Sequence, residues 1–253
     1  MLLLLSPAKS LDYTSPLPSI EASKPRFAEE ALTTAQAASR LGAKKLSKLM
    51  GISDKLAKLN ADRYDGFVEQ EERPALYAFS GDVYIGFEAK TLDEPAIGFA
   101  QDHVRILSGL YGLLRPLDLI RPYRLEMGTR WAPGRKKTLY QMWGNKISDA
   151  LAADLLADGT DVIINCASKE YWHAVEQSPP EGIRIITIDF RELGSQGLVF
   201  NSFGAKRARG MIARWMCEHR ITDPEGLKGF DSDGYSYSPE GSDESTWRFV
   251  RPR

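Results

Sequence analysis

Three short runs of apolar residues limit the folds that this chain can adopt. The first covers residues 1–5, and the other two, residues 162–166 and 183–188, also contain β-branched side chains and are flanked by turn residues. A continuous apolar run of this length, as opposed to an alternating one, is typical of a strand buried on both faces of a sheet. We therefore predict a buried strand at each of these three places.

Helices are predicted from composition and from the spacing of apolar residues. The first is rich in Ala, Glu and Leu, and it ends near Gly42, a residue type common just after a helix. The last carries basic residues on the side that we expect to be exposed. The predicted helices cover residues 26–41, 43–50, 54–64, 138–157 and 201–220.

The order of these elements indicates the fold class. Further strands are predicted at residues 104–107 and, as an edge strand, at 246–250, whereas residues 229–245 are rich in Gly, Ser and Asp. Strands and helices are mixed and do not alternate strictly, and the chain shows neither an internal repeat nor a clear linker. We predict one α/β domain over residues 1–253, with a mixed sheet and surrounding helices.

Composition excludes several classes of protein. The apolar run at residues 1–5 is too short to span a bilayer and has no basic residues before it. The two cysteines, Cys166 and Cys217, form no CxxC pair, and the three histidines lack metal-ligand spacing. We expect a cytoplasmic protein that has no membrane contact, no metal ion and no other cofactor.

The charge is unevenly distributed along the chain. The net charge is −1, yet residues 105–146 carry nine basic side chains against two acidic ones. Residues 205–220 carry five basic side chains against one acidic side chain. Two basic blocks in a nearly neutral chain indicate a polyanionic partner.

Residues 46–59 resemble a helix-hairpin-helix motif, and the predicted element extends over residues 43–64. Gly51 can take the positive φ that ends the first helix, and Ser53 can cap the second. Ile52 would hold the turn against both helices. The second helix would then present its free N–H groups and positive dipole end to a phosphate. The candidate contact residues here are Lys48, Gly51, Ile52, Ser53, Lys55 and Lys58.

Two features of this segment depart from the motif or oppose phosphate binding. Ser53 stands where the motif has its second glycine, which limits how closely a phosphate approaches the backbone. Asp54 places a negative charge at the expected contact point. A tight helical hairpin that serves only for packing is the alternative.

Several further segments form a specific set. They are residues 6–9, 81–84, 107–128, 139–144 and 205–210, which include Ser-Pro-Ala-Lys, Gly-Asp-Val-Tyr and Ala-Lys-Arg-Ala-Arg-Gly. In these segments the chain resembles the YaaA family of bacterial peroxide-stress proteins, over residues 1 to about 235. The resemblance implies a cytosolic protein that is made under hydrogen peroxide stress and associated with limiting damage from intracellular iron.

The resemblance also implies a single α/β domain of unusual topology, with a positively charged cleft and a helix-hairpin-helix element that binds DNA. Individual residues have structural alternatives, because Arg124 could pair with Glu126 or Asp118, and Lys9 with Asp12. The matching basic residues are Lys9, Arg115, Arg121, Arg124, Lys206, Arg207 and Arg209.

The sequence therefore predicts a DNA-binding protein of the peroxide stress response. We expect it to be a monomer that contacts the phosphate backbone of double-stranded or branched DNA without sequence preference. No familiar nucleotide, zinc or acyl-transfer motif occurs, so no catalytic residue is assigned. An iron-handling role through another protein rests on the family association alone.

The alternative is an enzyme that acts on a phosphorylated small molecule or a nucleic acid in the same basic cleft. A carboxylate beside Lys and Arg side chains could serve phosphate chemistry. The residues that would form this cluster are Lys9, Asp12, Tyr84, Arg124 and Glu126.

Overall fold

An eight-stranded sheet organises the computed structural model, which describes residues 1–253. Two further short strands, β2 (Arg73–Pro74) and β5 (Leu119–Ile120), pair separately. In spatial order, the main sheet contains β4 (Gly112–Leu114), β3 (Val104–Ser108), β1 (Leu2–Leu5), β6 (Val162–Asn165), β7 (Arg184–Gly194), β10 (Thr246–Pro252) and β9 (Ser236–Ser238), and β8 (Gly197–Val199) pairs with β7.

The centre of the sheet is parallel, and its strands are those predicted from the apolar runs. Leu3 of β1 lies opposite Val104 of β3 on one side and Ile164 of β6 on the other. All four residues of β1 and all four of β6 are buried. These observations confirm the predicted α/β class and the strands at residues 1–5 and 162–166.

The strand at residues 246–250 does not lie at the edge of the sheet, so this prediction was wrong. β10 pairs in parallel with β7 and in antiparallel fashion with β9. The buried rings of Trp247 and Phe249 alternate with more exposed residues, so this strand has one face in the core. The turn-rich segment before it supplies β9, which covers the edge that β10 would otherwise present.

Ten helices surround the sheet. The predicted helix at residues 138–157 is two helices, because Gly144 adopts φ 49° and ψ −125° between them. The helices are α1 (Ala28–Ser39), α2 (Gly42–Met50), α3 (Asp54–Asp65), α4 (Ala75–Ala78), α5 (Asp82–Phe87), α6 (Glu94–His103), α7 (Leu139–Trp143), α8 (Lys146–Asp158), α9 (Lys169–Glu176) and α10 (Ser202–Glu218).

Helices α5 and α10 approach each other closely because each has a glycine at their contact. A Cβ atom on Gly210 would lie 1.7 Å from the carbonyl oxygen of Val83, and one on Gly86 would lie 2.0 Å from that of Arg207. No side chain fits in this space. The two glycines therefore fix α10 directly against α5.

One hydrophobic cluster of 66 buried residues extends across the sheet, from Leu113 in β4 to Phe249 in β10. None of the helices is both long enough and apolar enough to cross a membrane.

Candidate functional site

A crevice opens at the carboxyl ends of β1 and β6. The chain leaves β1 towards β3 on one side and leaves β6 towards β7 on the other, so the loops after these two strands diverge. Ligands of open α/β sheets bind at such points of reversal. The cavity here has a volume of about 440 Å³. We call it the switch-point crevice; it is lined by residues 6–10, residues 81–83, Glu126, four residues between 166 and 171, Lys206 and Arg209.

Hydrogen bonds tie the two strand ends together beneath the crevice. The Ser6 hydroxyl oxygen accepts a hydrogen bond of 2.8 Å from the Ser168 backbone N–H. The hydroxyl of Tyr84 donates to the carbonyl oxygen of Ser6 at 3.0 Å. The backbone N–H of Cys166 donates to the carbonyl of Leu4 at 3.0 Å. The floor is therefore held in place before any ligand arrives.

Helix α10 contributes cations that have no carboxylate partner. No carboxylate oxygen lies within 4.0 Å of the charged nitrogen atoms of Lys206, Arg207 or Arg209. Lys206 and Arg209 are three residues apart, so they lie on one face of the helix, and both line the crevice. Burial lowers the pKa of Arg209, and its Nε is buried without a hydrogen-bond partner. Lys206 and Arg207 are exposed.

Glu126 lies between two other predicted residues. Arg124 Nε donates to Glu126 Oε1 at 3.0 Å, and Lys9 Nζ lies 3.4 Å from the same oxygen. The ion pair of Arg124 with Glu126 is the structural alternative given above, whereas Lys9 pairs with Glu126 and not with Asp12. The other oxygen, Oε2, is buried and has no hydrogen-bond donor.

The structure divides the cluster suggested for an enzyme. Asp12 lies in a neighbouring cavity, where it pairs with Lys90 at 3.1 Å and with Arg73 at 3.8 Å. A side-chain hydrogen bond from Ser15, followed by backbone hydrogen bonds, lowers the pKa of Asp12 far below its usual range. Tyr84 lines the same cavity as Asp12. Lys9 and Glu126 line the crevice, and Arg124 lies beside them in a small adjoining cavity.

Cys166 also lines the crevice, and it carries a buried free thiol. Burial raises its pKa to about 12, although the positive charge of Arg209 opposes this shift. The group is therefore a protonated thiol at neutral pH, and a thiol in that state is a poor nucleophile.

The remaining basic residues of the first block lie elsewhere. Arg115 donates to the carbonyl of Gln101 and pairs with Asp102 at 2.8 Å, next to the amino end of β3. The switch-point crevice is at the carboxyl end of the sheet, so Arg115 is at the opposite end. Arg121 pairs with Glu72 at 2.8 Å and lies over the ring of Phe67. The basic block at residues 105–146 therefore does not form one continuous surface.

The predicted helical turn between α2 and α3 is present. Gly51 ends α2 with φ 60°, and the N–H of Ile52, which is half-buried, donates to the carbonyl of Ser47 at 3.2 Å. The hydroxyl oxygen of Ser53 accepts from the backbone N–H of Leu56 at 3.4 Å, which caps α3. The assignment of this turn as a helix-hairpin-helix motif that contacts DNA stays a prediction.

The lysines of this hairpin differ in their surroundings. Lys48 and Lys55 are exposed, and no carboxylate oxygen lies within 4.0 Å of their Nζ atoms. Lys58 pairs with Asp62 at 2.9 Å one turn further along α3. Asp54 accepts a hydrogen bond of 3.3 Å from the hydroxyl of Ser47, so its carboxylate is held at the turn.

Helix α3 connects the hairpin with the crevice. The hydroxyl of Tyr64, near the end of α3, donates to the carbonyl of Arg124 at 2.7 Å. The first residue of α3 is ten residues before Tyr64, which corresponds to about 15 Å along the helix axis.

Sequence reasoning missed the residues that follow β6. Ser168, Glu170 and Tyr171 line the crevice, and Glu170 Oε1 accepts from the backbone N–H of Gly128 at 2.9 Å. Two predicted buried strands, each followed by a serine-containing loop, were a usable signal, because the carboxyl ends of parallel strands share one edge of the sheet. No group of three or more His, Cys, Asp or Glu side chains could hold a metal ion.

Comparison with known proteins identifies relatives over the whole chain. The family described as "Peroxide stress protein YaaA" matches residues 1–241. A protein of Rhizorhabdus wittichii named "UPF0246 protein" is 85% identical over 253 residues, with 100% of both chains covered. Proteins of the same name from Hahella chejuensis and Polynucleobacter necessarius are 45% and 46% identical, over 99% of both chains in the first case and 94% and 93% in the second. The chain belongs to the peroxide stress protein YaaA family.

Proposed function

We propose that this protein binds DNA through the switch-point crevice and the α2–α3 hairpin, and that this binding is its part in the peroxide stress response. The observation that carries the proposal is a set of three cations on α10 that have no carboxylate partner. Lys206 and Arg209 line the crevice, and Arg207 is exposed on the same helix. A cation without a carboxylate partner at a surface crevice is free to displace the counterions of a phosphate backbone.

The hairpin supplies a second contact of a different kind. In the first turn of α3, the backbone N–H groups of Asp54 and Lys55 have no acceptor inside the helix, whereas that of Leu56 donates to the Ser53 cap. Such groups, together with the positive end of the helix dipole, bind phosphate. Lys48 and Lys55 add positive charge beside them.

Contacts of this kind read the backbone and not the bases, so the protein would bind double-stranded or branched DNA without sequence preference. A protein that covers or bridges DNA in this way would shield it from radicals generated by iron. Stoichiometric, tight iron binding by the purified protein would argue against this indirect form of protection.

A second candidate is an enzyme that acts on a phosphorylated small molecule in the same crevice. It is favoured by the half-buried Glu126, whose buried atom Oε2 has no hydrogen-bond donor in the protein. A backbone-binding groove has no use for such a carboxylate, whereas a general base does.

The test is fluorescence anisotropy of labelled duplex, four-way junction and single-stranded DNA, with salt raised from about 50 to about 200 mM. We expect affinity to fall steeply with salt. Each of the variants Lys206→Glu, Arg207→Glu and Lys55→Glu should weaken binding of every sequence and reduce the slope of log K against log salt by about 1 or more.

The matched control is Lys44→Glu, which reverses an exposed charge at the other end of α2. Its affinity should change by less than that of Lys55→Glu. If duplex and junction both fail to bind at the lowest salt, the proposal is wrong and the enzyme candidate takes its place. If only the α10 variants weaken binding, the hairpin serves packing alone.

A further inference from the structure

The charge of the switch-point crevice is balanced, which a pure phosphate groove would not be. Three cations line it, Lys9, Lys206 and Arg209, and three carboxylates line it as well, Asp82, Glu126 and Glu170. Carboxylates repel a phosphate backbone. Their presence beside unpaired cations indicates a ligand that carries an anionic group at one end and hydrogen-bond donors at the other.

Two buried groups of opposite character lack partners in this cavity. Arg209 Nε is a donor without an acceptor, and Glu126 Oε2 is an acceptor without a donor. A buried polar atom without a hydrogen-bond partner is costly, so few persist without a role. The two groups do not satisfy each other, so a ligand that reaches both would remove both costs.

Aromatic rings accompany these charges. Tyr171 forms part of the lining, and Phe203 lies one turn before Lys206 on α10. The Phe203 side chain is 71% exposed, and Lys206 Nζ lies 5.8 Å from the centre of its ring. An exposed ring beside a lysine that has no carboxylate partner is suited to stack on a nucleobase.

We infer that the switch-point crevice binds a single nucleotide. Lys206 and Arg209 hold its phosphate, the free oxygen of Glu126 accepts from an N–H group of its base, and Phe203 stacks at the rim. The cavity volume of about 440 Å³ falls within the range of small-ligand sites. The nucleotide is either free in solution or extruded from DNA, and only the second source rests on the proposed function.

The first experiment is isothermal titration calorimetry of the full chain with the four deoxynucleoside 5′-monophosphates. The same titrations use the matching nucleosides, ribose 5-phosphate and inorganic phosphate. We expect at least one nucleotide to bind ten-fold or more tightly than its nucleoside and than either phosphate compound. Equal affinity for inorganic phosphate and the nucleotides would overturn the inference, because the crevice would then be an anion site only.

Variants locate the site. Arg209→Gln should weaken nucleotide binding more than it weakens nucleoside binding, and Glu126→Gln should weaken both. Phe203→Ala changes an exposed side chain, so it tests the stacking contact even if Glu126→Gln does not fold. Arg220→Gln, at an exposed position beyond the end of α10, is the control and should leave the affinity unchanged. Unchanged affinity in both Arg209→Gln and Phe203→Ala would place the nucleotide elsewhere and overturn the assignment.

A second arm distinguishes the two origins of the nucleotide. Duplex and junction DNA carrying 2-aminopurine should become more fluorescent on binding if a base leaves the stack, and Phe203→Ala should reduce the increase. Binding of free nucleotides with no such increase supports a free nucleotide as the ligand. DNA binding with neither free-nucleotide affinity nor an increase overturns the inference and leaves the proposed function standing.

Discussion

The α2–α3 hairpin and the switch-point crevice both present unpaired cations, but they are built in opposite ways. The hairpin takes its turn, its cap and its lysines from residues 46–59, and its bonds are local, such as those of Gly51 and Ser53. The crevice collects single side chains from five separate segments, and hydrogen bonds between distant residues hold its floor.

This difference shows what each region can recognise. A capped helix end offers backbone N–H groups to any phosphate, so the hairpin can contribute affinity without selection. A cavity with buried charges of both signs satisfies only a ligand that matches them, since unmatched groups carry a desolvation cost. If the proposed DNA and nucleotide binding are correct, the hairpin would add general affinity and the crevice would add selectivity for a ligand that matches its charges.

The largest effect is expected from Gly210→Ala. This change disrupts the packing of α10, the helix that carries Lys206 and Arg209, against α5. The new Cβ would collide with the Val83 carbonyl, and α10 would have to move away from α5. We expect the free energy of unfolding to fall by roughly 3 kcal/mol or more, measured by urea denaturation.

Gly98→Ala is the control, because its Cβ meets nothing within 4 Å in the middle of α6. Gly98→Ala should raise the free energy of unfolding by about 0.5–1 kcal/mol, because alanine favours a helix interior more than glycine does. A Gly210→Ala protein of wild-type stability would contradict the close packing.

The next effect concerns thiol reactivity in the two regions. Because burial raises the pKa of Cys166 to about 12, its thiolate fraction near pH 8 is about a thousandfold below that of an exposed cysteine. Burial also raises the pKa of Cys217. Both should react with a disulfide reagent about a thousandfold more slowly than a cysteine placed on the hairpin by Lys55→Cys. The rate should rise with pH, because the thiolate forms as the pH approaches the pKa. Rapid reaction of the unmodified protein would show that the crevice opens in solution.

A smaller effect is expected from Gly51→Ala at the hairpin. Gly51 has φ 60°, a conformation that costs an L-residue about 1–2 kcal/mol. The turn should loosen locally, so amide exchange should accelerate in α2 and α3 and not around the crevice. Equal acceleration in both regions would mean that the hairpin and the crevice unfold together and are not separable.

The smallest effect is expected from Asp54→Asn, which removes a negative charge from the hairpin turn. If DNA contacts this turn, affinity for a duplex should rise about threefold, since one repulsive charge near a phosphate is lost and salt screens much of it. Glu181→Gln changes an exposed residue near the amino end of β7, at the opposite end of the sheet from the crevice, and should leave the affinity unchanged. A gain in both variants would reflect net charge alone.

The sequence predicts a region well when the residues that contact each other there are close together along the chain. The hairpin could be predicted down to Gly51 and the Ser53 cap, because every residue that shapes it lies within one short segment. The buried strands could be predicted as well, since β1 and β6 are apolar throughout. Neither prediction requires knowledge of distant residues.

The crevice could be predicted only in part. Lys9, Lys206 and Arg209 were candidates, and Glu126 belonged to the alternative enzyme cluster. The spacing of these residues did not indicate that Ser168 and Glu170 would join them. Arg115 and Arg121 were candidates too, and their partners Asp102 and Glu72 come from other elements. Basic residues that are close in sequence can thus lie in different parts of the fold.

The position of β1 has a consequence for how the molecule assembles. Its two neighbours in the sheet, β3 and β6, are on the order of 100 and 160 residues away along the chain. Pairings at such separations close long loops, so they form late and slowly in folding. The crevice lies at the end of this strand and exists only after both pairings are made. During synthesis and refolding, the hairpin would therefore be ready well before the selective site.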